Sequence, residues 1–266
     1  MSESSVASQD DVRLSSMTSA EVAELAGEDS LMIVPVGSIE QHGPHLRLHE
    51  DIANALALAE SAAGASPHPV LVAPPIWWGM APHHMGFAGT ISLRLETLAA
   101  LITDICTSLA AHGFRRILLL NGHGGNAAAL IATATQLSAD HELFVSTVSY
   151  WALIPDVLRE VGTSAEGGMG HAGEMETSIA LHLRPDTVLE DRIEADIPAT
   201  ASGPRAIDFR SPGAVSMPRD LRRDSKAGVI GDPTTASAAK GEIIMTALVE
   251  RLVDVIDDLI SAPATR

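Results

Sequence analysis

Three features of this 266-residue chain predict a single α/β domain in three layers, a mostly parallel sheet with helices on both faces. Short apolar runs bounded by Gly and Pro alternate with Ala/Leu-rich stretches of helical spacing. Polar clusters follow directly on two of the apolar runs, where α/β sheets gather their functional loops. Hydrophobic residues make up 46% of the chain and charged residues 19%, which suits a globular protein with a sizeable core.

Taken in order, residues 1–16 (MSESSVASQDDVRLSS) are Ser-rich and acidic without an apolar centre, and read as a disordered leader rather than a signal peptide. Residues 17–266 are then the domain. Thr18-Ser19-Ala20-Glu21 has capping-box spacing and starts a short helix through about Ala26. Leu31–Val36 is the first strand. Asp51–Gly64 is Ala/Leu-rich with helical spacing and places Asp51 at a helix start, where a carboxylate complements the dipole. Val70–Ala73 is a strand running into Pro74-Pro75. Trp77–Leu93 is irregular and rich in Gly, His and Met, and loops of that length usually cover sites. A helix over Leu95–Ala111 ends at Gly113, and Ile117–Leu120 is a buried strand. Ala127–Leu137 is helical, Leu143–Val148 a strand, Met175–Leu183 a helix and Gly241–Ile260 a long amphipathic helix. Arg192–Asp232, rich in Pro, Arg, Ser and Asp, has little periodicity and reads as an extended surface segment.

The formal charge of −17 argues against nucleic acid or an anionic membrane as the main partner, because a polyanion is repelled at long range. No apolar stretch reaches the roughly 18–20 residues that span a bilayer, and the cytoplasm is the default location. Cys106 is the only cysteine, so neither an intrachain disulfide nor a thiolate zinc cluster can form, and any metal must use His and carboxylate ligands.

Three clusters carry that chemistry. GSIEQHGPHLRLHED follows the first strand and offers Glu40, His42 and Asp51; Asp51 has two oxygens and could serve two ions. NGHGGN (Asn121–Asn126) follows a strand and precedes a helix. It lacks the Gly-Lys-Ser/Thr and the complete G-x-G-x-x-G of phosphate loops, so an imidazole held at a strand end, His123, suits a metal ligand better. HAGEMETS (His171–Ser178) offers His171, Glu174 and Glu176. On helical spacing Glu176 shares the more apolar stripe with Ile179, Ala180 and Leu183, where a charged carboxylate needs a cation or strong donors. Glu174 reads as a first-turn residue complementing the dipole. Singly, each cluster also has a plain reading as surface acid, turn histidine or cap; together they suggest one convergent site.

The ordered set PVGSIEQHGPHLRLHED, FAGTISL, NGHGGN, SYW and HAGEMETS resembles the creatininase family of metal-dependent amidohydrolases over about Leu31 to Leu183, continuing weakly through Gly228–Glu242. The resemblance implies two divalent ions per chain (zinc, manganese or iron) held by Glu40, His42, Asp51 and His123, with Asp51 bridging. It implies a proton-transfer role for His171, and places Trp151 and Gly124 near the substrate. Creatinine-hydrolysing members carry a glutamate two residues after the NGH histidine. Gly125 stands there in this chain, and Glu176 is placed to complete the metal shell.

The expected function is hydrolysis of a carbon–nitrogen bond other than a peptide bond, in a small amide, cyclic ones included. Water activated by the metal is the nucleophile, His171 protonates the leaving nitrogen, and Glu176 completes the shell or orients the water. The nearer alternative is a formamide deformylase or precursor-peptide peptidase of the same family. The more distant is a metal-binding homologue without catalysis. The resemblance also implies a homo-oligomer, often a hexamer.

Overall fold

The computed structural model describes residues 11–27, 29–217 and 219–263. Four parallel strands, β1 (Leu31–Val36), β2 (Val70–Val72), β3 (Arg116–Asn121) and β4 (Phe144–Ser149), lie in the order β2-β1-β3-β4. β1 pairs with β3 over its whole length, Leu31 opposite Arg116 and Val36 opposite Asn121. The helices are α1 (Ser19–Leu25), α2 (Glu50–Ala65), α3 (Leu95–Ala111), α4 (Ala127–His141), α5 (Pro155–Val161), α6 (Glu174–Leu183), α7 (Leu221–Asp224) and α8 (Ala238–Ser261).

Side chains of a strand alternate between faces, and here the alternation builds two cores. Leu31 and Ile33 of β1 with Leu118 and Leu120 of β3 pack against α2, α5, α6 and α8. Met32, Val34 and Val36 with Ile117 and Leu119 pack against α3 and α4. The sheet is thus buried on both sides, as all-parallel sheets require. α8 lays Ile244, Met245, Leu248, Leu252 and Ile256 on one stripe against that first core. Its Gly241 passes so close to the Ser178 carbonyl of α6 that a Cβ would collide with it.

The sequence-based elements correspond closely, including the capping box, in which Thr18 Oγ1 accepts from Glu21 N and Glu21 returns to Thr18 N at 2.7 Å. Three differences have physical reasons. Of the leader 1–16, residues 1–10 lie outside the described residues, whereas residues 11–16 pack on the domain: Val12 O accepts from Val72 N at 2.8 Å, and Leu14–Ser16 forms a 3₁₀ turn. α5 was not foreseen because seven residues show too little periodicity, although Pro155 at its first turn is a start signal. Segment 192–232 is irregular as expected, but it is not simply surface. Leu221, Val229 and Ile230 are buried, and Phe209 N donates to Met169 O at 3.0 Å.

After β1 the chain crosses to β2 on one side, then returns to β3 on the other. Strand order reverses between β1 and β3, and the crevice beyond their carboxyl ends is where open α/β sheets bind ligands.

Candidate metal centre

Two glycines let a third element into that crevice. A Cβ at Gly37, just past β1, would meet Ile52 N at 2.8 Å, and one at Gly122, just past β3, would collide with the Asp51 carbonyl. The first turn of α2 therefore nests against both strand ends, and Asp51 falls between the loop that carries Glu40 and His42 and the one that carries His123. The first turn of α6 brings Glu176 to the same place, so two helix N-termini face the cluster and favour negative charge there.

Glu40, His42, Asp51, His123 and Glu176 are all buried. Asp51 Oδ1 lies 3.1 Å from His42 Nε2 and Asp51 Oδ2 lies 3.2 Å from His123 Nδ1. Glu40 Oε2 is 2.8 Å from His123 Nδ1, and Glu176 Oε2 is 4.0 Å from His42 Nε2. Three sets, Glu40–Asp51–His123, His42–Asp51–Glu176 and Glu40–His42–His171, each offer ligand atoms within 4.8 Å of one another, and Asp51 belongs to the first two. Despite these approaches, Glu40 Oε2, His42 Nε2 and Asp51 Oδ2 have no hydrogen-bond partner. Buried polar atoms seldom stay unpartnered, and lone pairs that crowd together without making hydrogen bonds fit a cation between them.

The other nitrogen of each ring is tied to the backbone. His42 Nδ1 lies 3.2 Å from Glu40 O, and His123 Nε2 lies 3.2 Å from Met80 O. A carbonyl only accepts, so these nitrogens carry protons and turn Nε2 of His42 and Nδ1 of His123 toward the cluster, where each would offer a lone pair to a cation, as ligating histidines do, or hold a second proton in its place. Glu176 is fixed by Ala172 N, which donates to Oε2 at 2.6 Å. Ala172 has φ +52°, a conformation uncommon for a residue with a side chain, and this turn aims its amide at the carboxylate.

With only protons as counter-ions, burial and Asp51 raise the Glu40 carboxyl, and burial pushes Glu176 up to about 7. Burial opposes the charged form of both rings, but Asp51 lifts His42 to about 10, and Glu40 and Asp51 lift His123 well above its ordinary value. Protons thus hold together three buried carboxylates that metal cations would otherwise neutralise.

Of the remaining sequence candidates, His171 joins the cluster: its ring lies 4.5 Å from that of His42, and its side chain, 13% exposed, is the most open of the group. Gly124 is exposed beside His123, with open space where a side chain would stand. Trp151 packs on Tyr150 at 5.1 Å and Phe209 at 5.0 Å against the core, with no described contact to the cluster. Glu174 lies in the first turn of α6 as expected, but not on the surface. It is buried and held by Lys240, Thr163 N at 2.9 Å and Ser164 Oγ at 2.6 Å, facing away from the site. Sequence reasoning missed His83, His84 and Gln41. The His-His pair in the irregular loop was the available signal. His84 Nε2 lies 3.3 Å from Glu40 Oε1, and the His83 ring stacks on His123 at 5.5 Å.

Comparison with known proteins agrees with this geometry. A family model described as creatinine amidohydrolase matches residues 15–256. The mycofactocin precursor peptide peptidase of Mycolicibacterium smegmatis is 36% identical over 230 residues, covering 84% of this chain and 83% of that protein. The creatinine amidohydrolase of Pseudomonas putida is 31% identical over 252 residues, covering 88% and 91%. Among solved structures, a Zn–Zn form of a creatininase variant superposes with a TM-score of 0.82 at 29% identity, covering 95% of this chain and 99% of that one. A manganese creatininase gives 0.80 at 29% identity, covering 95% and 100%. The sheet order, the convergent carboxylates and imidazoles, and these matches together make the chain a hydrolase that belongs to the creatininase family.

Proposed function

We propose that this chain is a divalent-metal-dependent hydrolase that cleaves a carbon–nitrogen bond of a small amide, cyclic ones included, with two ions (zinc, manganese or iron) per chain. The observation that carries the reading is Asp51, one oxygen toward each of two ligand sets that share no other residue. Glu40 and His123 would complete one set, His42 and Glu176 the other. Bound there, divalent ions would supply Lewis acidity, polarising an amide carbonyl and making water acidic enough to attack near neutral pH.

The chain's own residues supply the rest. His171 Nε2 is 2.8 Å from Gln41 O and must donate to it, which leaves Nδ1 as a lone pair. Nδ1 is thus the atom placed to take a proton from the attacking water and pass it to the leaving nitrogen. Glu176, with Oε2 fixed by Ala172, orients the second ligand set. The open backbone at Gly124 provides room for substrate beside His123, and Trp151, packed on Phe209, is the second proposed substrate-side residue.

A second reading, a short-peptide substrate, is favoured by two observations. The mycofactocin precursor peptide peptidase shares more identity with this chain than the creatinine enzyme does. Where the resemblance implies a glutamate in creatinine-hydrolysing members, Gly125 has no room for a side chain: a Cβ would collide with Met80 O and His123 Nε2 and meet His83 Cε1 at 2.8 Å. Metal-loaded protein assayed against creatinine, formamides and short peptides separates the readings. Fewer than one bound ion per purified chain would remove both and leave a non-catalytic homologue. The exposed Trp77, Trp78, Met85 and Ile91 of the 77–93 loop suit an interface between copies of the chain, and the hexamer is what the family resemblance implies. The proposed compartment is the cytoplasm, and the proposed partner class is a small-molecule amide rather than nucleic acid or membrane.

A further inference from the structure

Gln41 lies between two metal-ligand candidates in sequence, and its amide orientation is fixed by two backbone groups. Oε1 accepts from Gly43 N at 2.9 Å and Nε2 donates to Gly228 O at 2.9 Å. One hydrogen of Nε2 remains, with two nitrogens in reach: His171 Nε2 and His84 Nδ1, both at 3.1 Å. His171 Nε2 already carries a hydrogen, because it faces the Gln41 carbonyl at 2.8 Å, and so it cannot accept. The remaining hydrogen goes to His84 Nδ1. His84 is therefore the neutral tautomer with its hydrogen on Nε2, the ring nitrogen that lies 3.3 Å from Glu40 Oε1.

We propose that His84, set in this tautomer by Gln41, is a positioning residue for the metal centre: it holds Glu40 Oε1 and leaves Oε2 free for the ion shared with Asp51 and His123. Glu40 Oε2, which has no hydrogen-bond partner and lies 2.8 Å from His123 Nδ1, is the oxygen this arrangement turns toward the cluster. A single carboxylate rotor is thus fixed from outside the ligand set, by a residue from a loop that contributes no ligand. The relay also reaches segment 192–232, since Gly228 at φ +88° supplies the carbonyl that orients Gln41, and a Cβ there would overlap the Gln41 amide.

The inference rests on the metal reading above, and the test separates them. Metal-free wild-type protein and the variants His84→Leu, His84→Asn and His84→Gln are titrated with Mn²⁺ by calorimetry, with circular dichroism for folding. Leu offers no donor, the Asn amide stops near the Nδ1 position, and only the Gln amide reaches the Nε2 position. Loss of an outer partner of a metal ligand typically weakens binding about 10–100-fold, so His84→Leu and His84→Asn should show that loss for one of two ions and keep the other within a few-fold. His84→Gln should recover to within about threefold of wild type. If His84→Leu does not fold, the Asn–Gln pair decides. Wild-type affinity for both ions in His84→Asn, or equal weakening in His84→Asn and His84→Gln, overturns the positioning role alone. A wild-type protein that binds less than one Mn²⁺ per chain overturns the metal reading and this inference with it.

Discussion

Removing the Asp51 carboxylate should cost the chain both of the proposed ions rather than one. Its oxygens stand 3.1 and 3.2 Å from rings in different ligand sets, and without the shared negative charge two cations face each other uncompensated. Asp51→Ala should therefore lose both ions by elemental analysis; full occupancy would refute the bridge. The paired glutamates of α6 give a second contrast. Glu176→Gln should lower turnover about 10²-fold or more, the scale of one positioned acid–base or metal contact. Glu174→Gln should leave turnover per folded molecule within a few-fold and instead lower stability by about 2–4 kcal/mol, since it breaks a buried pair with Lys240. Kinetics and thermal unfolding on the same two preparations decide it, and reversal of the two outcomes would put Glu174 in the shell. The residues at this scale were unequally legible. Glu40, His42 and His123 could be read because they follow strand ends, and Glu176 because helical spacing turned it inward. Gln41 and His84 could not, because what defines them is a contact with Gly228, 187 residues from Gln41, and with each other across 43.

Among the elements, strands and long helices were legible to within a few residues at each end, since both are read from apolar periodicity and both core faces obey it. Segment 192–232 was not. Its order comes from polar ties rather than from a repeating apolar face. Asp208 anchors it: Oδ2 accepts from Gly167 N at 2.8 Å and Arg210 Nη2 at 2.6 Å, while Oδ1 accepts from Arg210 N at 3.0 Å and Nε at 2.9 Å. Burial works to raise the Asp208 carboxyl, but the Arg210 hydrogen bonds prevail and hold it below its ordinary value. A carboxyl depressed in the folded state stabilises it fully above the unfolded pKa of about 3.9, and that contribution fades as pH falls from there through the folded value. Asp208→Asn should thus be less stable than wild type by a constant margin from pH 7 to about 5, with the margin closing below about pH 4. Urea unfolding of both proteins across that range measures the margin. A margin that widens toward acid would mean that burial outweighs the Arg210 ties.

At the scale of the whole molecule, a chain of net charge −17 keeps three carboxylates, Glu40, Asp51 and Glu176, buried in one crevice. Such a cluster adds repulsion to an already acidic protein unless cations or protons occupy it. Two helix N-termini offset part of that repulsion, and protons on His42 and His123 offset more. Divalent ions would replace those protons, so binding and folding are linked. An ion that binds only the folded state at a hundred times its Kd stabilises by about 2.7 kcal/mol. For a domain of this size that is a rise in Tm of roughly 5–10 °C. The shift should be larger at pH 8 than at pH 6, because a ring held at about 10 and a carboxyl held at about 7 bind their protons more weakly against competition as pH rises. Asp51→Ala supplies the control: it should unfold at the same temperature with and without Mn²⁺. Thermal unfolding of chelator-treated protein, with and without added Mn²⁺ at the two pH values, tests the linkage. Equal midpoints in all four conditions would show that the crevice is stable with protons alone and that no ion is bound by the folded chain.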